Sequence, residues 1–137
     1  MEPNISEVVR AYFAAWPARD REGMERVLTD DFHFTSPLDN SIDRATFFER
    51  CWPGSEDIAS LELKRLIPDG YLAFVTYELT MKDGRSFRNS EAVTVRDGKV
   101  REVEVYFGWD VPHKAAPGGF VDQLHIGGTS EETAKKD

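Results

Sequence analysis

The sequence predicts a single α+β domain, with three N-terminal helices packed on a curved antiparallel sheet around an apolar, aromatic-lined pocket. Three observations carry this expectation. Before about Leu61, apolar residues recur at helical spacing; after it, β-rich segments take over. Asp-Gly pairs punctuate those segments, the strongest short signal for a hairpin, because Gly accepts the positive φ of a tight turn. Helices followed by a meander must bury one face of a twisted sheet.

Ile5, Val8, Val9, Tyr12, Phe13 and Trp16 form one apolar stripe of a first helix. Asn4 is its expected cap, Glu7 stands in the capping-box position, and Pro17 is expected to stop it. A shorter helix follows Asp20 and presents Met24, Val27 and Leu28, with Gly23 weakening the pattern. Phe32-His33-Phe34-Thr35 alternates as a short strand, closed by the turn-prone Ser36-Pro37-Leu38-Asp39-Asn40. Asp43 then caps a third helix, Ile42 and Phe47 stand where a hydrophobic staple packs, and Pro53-Gly54 ends it. Leu61–Ile67, Tyr71–Met81, Arg85–Arg96 and Val100–Trp109 read as four strands of an antiparallel meander. Residues 1–112 are expected to form the domain and 113–137, with Pro-Gly-Gly, Gly-Gly and a charged end, a mobile tail.

At 137 residues the chain fits one domain and can bury a core without a disulfide or a metal. Nine Phe, four Tyr and three Trp supply material for that core and for a cavity wall. A net charge of −8 argues against nucleic acid and anionic membrane, which leaves small molecules or proteins as partners. Cys51 is the lone cysteine; beside Phe47, Phe48 and Trp52 it reads as a buried thiol rather than a nucleophile. No signal-peptide pattern or long apolar run appears, so a cytoplasmic location is expected. His33, His113 and His125 lack ligand spacing, and no phosphate loop or dinucleotide fingerprint occurs; neither metal nor cofactor is expected.

The Arg85–Arg96 segment holds the first functional clue. Alternation puts Phe87, Asn89, Glu91, Val93 and Val95 on one side, so the more apolar face carries a carboxylate and an amide. Such groups are costly to bury without partners.

The order of helices, the Thr29-Asp30-Asp31-Phe32 lead into the first strand and the Asp-Gly-Lys-Val hairpin before the last resemble the nuclear transport factor 2-like superfamily. That cone-shaped fold includes ketosteroid isomerases and SnoaL-like polyketide cyclases, and the resemblance spans about residues 4–110. Val8–Trp16 resembles the first helix of ketosteroid isomerases, with Tyr12 where they keep an oxyanion-binding tyrosine. Counted back from Gly98-Lys99-Val100 with a one-residue gap, Glu91 falls where they keep a protonated aspartic acid. Their general base directly precedes a proline; here Ser36 precedes Pro37, and a serine hydroxyl is a poor base at neutral pH.

The resemblance implies a phenol and a neutral carboxylic acid aimed at one developing enolate oxygen. Holding such an acid neutral in an apolar site is a known device of ketosteroid isomerase. Phe87, Val93 and Val95 would supply that surround for Glu91, whose extra methylene moves its donor by about 1.5 Å. Each residue has a plainer reading. Tyr12 is a pocket hydroxyl or a core tyrosine; Glu91 is a pocket acid, half of a cross-sheet ion pair, or a solvent-facing residue; Asn89 bonds Glu91, a ligand, or neither. Trp16 and Phe34 read as wall residues, His33 as a surface residue, and Asp39 as the one nearby carboxylate able to replace the base or, more simply, to close its turn.

The expected function is that of a small-molecule pocket protein, an isomerase or cyclase stabilising the enolate of a hydrophobic ketone or polyketide-like substrate. Tyr12, Glu91 and Asp39 are its candidate catalytic residues, and Trp16, Phe34, Ser36, Phe87 and Asn89 its candidate ligand contacts. The alternatives are a non-catalytic binder of an apolar ligand and a protein-interaction scaffold. A homodimer through the open sheet face is expected in any of them.

Overall fold

Helix starts in this chain are set by short polar side chains that satisfy otherwise unpaired N–H groups. In the computed structural model, which describes residues 4–122, Asn4 Oδ1 accepts from the Glu7 N–H at 2.8 Å and opens α1 (Ile5–Ala18). Asp20 caps α2 (Arg21–Val27) and Asp43 caps α3 (Arg44–Arg50) in the same way, each accepting at 2.9 Å. Pro17 does not stop α1. The helix runs on through Ala18, and Arg19, in the left-handed conformation, closes it by donating to Trp16 O. A proline in the last turn removes one N–H but leaves the preceding bonds intact.

Six strands form one curved sheet: β1 (Leu28–Ser36), β2 (Asp39–Asp43), β3 (Ile58–Asp69), β4 (Leu72–Met81), β5 (Ser86–Arg96) and β6 (Lys99–Val111). A 3₁₀ turn, Trp52–Asp57, joins α3 to β3 and contains Pro53-Gly54. The strand order β2-β1-β6-β5-β4-β3 contains the expected meander β3 to β6. Three further features depart from the sequence reading. Leu28 belongs to β1 rather than to the second helix, and the supposed turn around Asp39 opens into β2, paired antiparallel with β1. The third is that β1 lies parallel to β6, so the sheet is mixed rather than wholly antiparallel. Both pairings of β1 depend on contacts that local alternation does not encode.

The hairpins follow the Asp-Gly pairs. Asp97 and Gly98 both take positive φ, 54° and 77°, between Arg96 and Lys99, the geometry that matches the twist of two strands. The core fills the space between the helices and the inner sheet face. Phe47 is fully buried at its centre, with ring centroids of Phe32, Phe34, Phe48 and Trp16 between 5.0 and 5.8 Å away. Ile42 packs against the same cluster. His33 lies between buried Phe32 and Phe34 on the other side of the strand, its Nδ1 2.9 Å from Asp31 O. Of the expected tail, residues 123–137 lie outside the described residues, as do residues 1–3.

Candidate functional site

The inner faces of β4, β5 and β6 are apolar except at three neighbouring positions. Register places Tyr77 opposite Asn89, and Val75 and Val105 on either side of Glu91. All three polar side chains are buried. Tyr77 Oη donates to Glu91 Oε2 at 2.7 Å, and Asn89 Nδ2 donates to Tyr77 Oη at 3.3 Å. Glu91 Oε1 has no hydrogen-bond partner among the described residues. Burial pushes the Glu91 carboxyl up to about 7, and the bond from Tyr77 opposes the rise only in part.

Beside this group lies a cavity of about 270 Å³. Its apolar wall includes Phe13, Trp16, Phe34, Leu61, Val105 and Phe107, and Tyr77, Asn89 and Glu91 reach it from the sheet. On the β1–β2 side Ser36 and Asp39 line it too. These two pair across the turn, where Ser36 Oγ donates to Asp39 Oδ2 at 2.8 Å and accepts from the Leu38 N–H at 3.0 Å. Arg50, from the last turn of α3, forms an ion pair with Asp39 Oδ1, so both carboxylate oxygens are engaged. Cys51 also lines the cavity, its thiol pushed up to about 11 chiefly by burial, which leaves it a poor nucleophile.

Tyr12 is fully buried in α1, and its hydroxyl has no hydrogen-bond partner among the described residues. Burial first and the Glu91 charge second hold this phenol well above the usual tyrosine range; the Trp16 indole opposes the shift without reaching hydrogen-bond geometry. Tyr12 and Glu91 therefore lie within electrostatic reach, but Tyr77 holds the direct bond, and neither Tyr12 nor Phe87 is among the residues lining the cavity. The Tyr77 phenol is raised likewise, by burial and then by Glu91.

Sequence reasoning missed Tyr77 and Arg50. Tyr77 was within reach of it: counting back from the Lys82-Asp83-Gly84 turn, with Thr80 opposite Ser86, puts Tyr77 opposite Asn89. Arg50 gave no such signal, because its partner comes from a strand that local pattern did not disclose. Among the described residues no cluster of His, Cys, Asp and Glu has the arrangement of a metal site.

The sequence model of the SnoaL-like domain matches residues 9–103, and the chain belongs to that family. No curated protein matches the sequence significantly. Among solved structures, it is similar to a putative ketosteroid isomerase from Kribbella flavida at 21% identity and a TM-score of 0.66, with 88% of this chain and 90% of that one covered. A putative polyketide cyclase from Sinorhizobium meliloti aligns at 18% identity and a TM-score of 0.61, over 72% and 93% of the chains. An epoxide hydrolase of the LEH-like kind from M. tuberculosis aligns at 19% and 0.63, over 75% and 81%. At these identities the likeness is one of fold, the nuclear transport factor 2-like fold expected from the sequence. No described helix is long and apolar enough to cross a membrane.

Proposed function

We propose that the protein binds a small apolar molecule bearing a carbonyl group and promotes its enolisation, as an isomerase or cyclase of the SnoaL-like kind. One observation supports this above the others: a buried carboxylic acid at the cavity, pushed toward its neutral form, with one oxygen unpartnered among the described residues. A neutral Glu91 donates a hydrogen bond to the carbonyl oxygen, and that bond strengthens as the oxygen gains charge. The proton leaves the α-carbon for the Asp39 carboxylate, the C–H electron pair forms the enolate double bond, and the carbonyl π pair moves onto oxygen. In a ketone with a neighbouring double bond, return of that proton to the far end of the conjugated enolate gives the isomer. Where the enolate carbon instead attacks a second carbonyl, a ring closes, that carbonyl's π pair moves to its oxygen, and the oxygen takes the proton back from Asp39. Tyr12, whose buried phenol lies within electrostatic reach of Glu91, is the second hydroxyl proposed to act on that oxygen, and Trp16 and Phe34 hold the apolar body. At about 270 Å³ the cavity lies just below the roughly 300–1,000 Å³ of ordinary ligand sites, so a compact ketone fits the reading best.

The test is hydrogen–deuterium exchange at the α-carbons of 2-tetralone, followed by NMR. The native protein should accelerate exchange over buffer. Tyr12→Phe and Glu91→Leu should each lower that acceleration by ~10²–10³, the usual effect of removing one oxyanion donor. No acceleration by the native protein with this or a smaller cyclic ketone would remove enolisation.

A second reading, a binder without turnover, is favoured by a specific feature of Asp39. Arg50 and Ser36 occupy both of its oxygens, which opposes proton abstraction. Ketone binding with no exchange, unchanged in Asp39→Asn, would decide for it. We place the protein in the cytoplasm as a homodimer, the outer sheet face covered by a second copy; the lone, half-buried Cys51 suits that compartment.

A further inference from the structure

The hydrogen bonds to Glu91 begin on a backbone group. In β6 the register against β5 shifts between Phe87 and Asn89, and Gly108 faces the irregularity. A Cβ at Gly108 would lie 1.9 Å from the Arg88 carbonyl oxygen, so the approach requires glycine. Here the Gly108 N–H donates to Asn89 Oδ1 at 3.0 Å.

A backbone N–H has one polarity, and it sets every later bond in the series. With its oxygen on Gly108, Asn89 must turn its amide nitrogen to Tyr77, where it donates to Oη at 3.3 Å. The Tyr77 hydrogen then points at Glu91 Oε2, 2.7 Å away. The reverse, Glu91 donating to Tyr77, would give the phenol oxygen two donors and leave its own hydrogen without an acceptor among the described residues. Oε2 therefore accepts, and the acidic hydrogen belongs on Oε1, the oxygen without a partner.

We infer that Gly108 and Asn89 are positioning residues that, acting through Tyr77, hold the hydrogen of Glu91 on Oε1 and make Glu91 a one-way donor. The site then selects ligands that present an acceptor oxygen, a carbonyl or an enolate, over ligands that present an ammonium group. This rests on the proposal that Glu91 faces the ligand, but the relay is tested without one. The titratable groups acting on or near Glu91 are Tyr77 on β4 and Tyr12 on α1, with Asp39 and Cys51 lining the same cavity; its β4 and β6 neighbours Val75 and Val105 carry no charge.

The experiment follows the neutral carboxyl stretch of Glu91 by infrared difference spectroscopy across pH 5–9, assigned by its loss in Glu91→Gln. The native midpoint should fall near 7. In Tyr77→Phe it should rise by about one pH unit, since a bond to the charged form is lost. Asn89→Asp has the native shape but, once ionised, draws the Tyr77 hydrogen to itself; the upper buried-carboxyl midpoint should rise by about one pH unit or more. Asn89→Leu, which only stops supporting Tyr77, should give a smaller rise, and it decides the matter should the aspartate variant not fold. Unchanged midpoints in the folded Asn89 variants, or a native Glu91 ionised throughout the range, would overturn the relay. Correct midpoints with no ketone bound would sustain the relay and sink the ligand reading instead.

Discussion

At the scale of single residues, Glu91 couples the site to stability. Its folded value of about 7 lies above the ordinary glutamate value of 4.5, so between these limits the folded protein holds a proton that the unfolded chain releases. Stability from this group is fully present below about 4.5, falls as pH rises through the interval, and levels above about 7. The loss is on the order of 3 kcal/mol for a group this buried. Urea unfolding at steps from pH 4 to 8 should show the native protein losing stability relative to Glu91→Gln over that interval; parallel curves would refute it. Tyr77→Phe should cost ~1–3 kcal/mol, because an acceptor that now receives a bond is left buried without one. Tyr12→Phe should be neutral or slightly stabilising, as that hydroxyl has no partner to lose among the described residues. The contrast between these two tyrosines is read from their urea midpoints at one pH.

At the scale of elements, α3 is short, seven residues, yet it carries two different duties. Phe47 packs into the centre of the aromatic core, while Arg50 leaves the helix end to hold Asp39 at the cavity. So short a helix depends on its cap and its packing rather than on propensity. Asp43→Ala removes the acceptor for the Thr46 N–H and should cost ~1 kcal/mol, measured as a lower urea midpoint. Replacing Phe47 by alanine should cost far more, ~3–5 kcal/mol, because it removes a fully buried ring and leaves a cavity among the four rings around it. Much at this scale was legible in the sequence. The caps Asn4 and Asp43, the meander and the inward face of β5 all came from patterns within a dozen residues. The strand β2 did not, because Asp39–Asp43 is mostly exposed and has no alternation for burial to reveal.

At the scale of the molecule, the inner sheet face is covered by helices and, among the described residues, the outer face is not. Ile67, Phe74, Tyr106 and Trp109 are each more than half exposed, and Ile67 and Phe74 are register partners. Mixed with them are ion-paired side chains, Glu78 with Arg88 and Lys64 among them, which leaves a surface both apolar and charged. The proposed second copy would cover this surface. Sedimentation velocity at micromolar concentration should show a dimer that Phe74→Glu converts to a folded monomer. A native monomer would exclude the pairing.

Alone, the sequence determined the three helices, the caps Asn4 and Asp43, the hairpins and the alternation that set Asn89 and Glu91 on an apolar face, since each is written in spacing and turn chemistry. Tertiary structure decided the rest: that β1 joins β6 in parallel, that Arg50 meets Asp39, and that Tyr77, not Tyr12, donates to Glu91. The physical reason is that alternation says which face a side chain takes but not what it meets there. Hydrogen bonds act over about 3 Å. Which groups come that close depends on strand order, register and packing across the entire sheet.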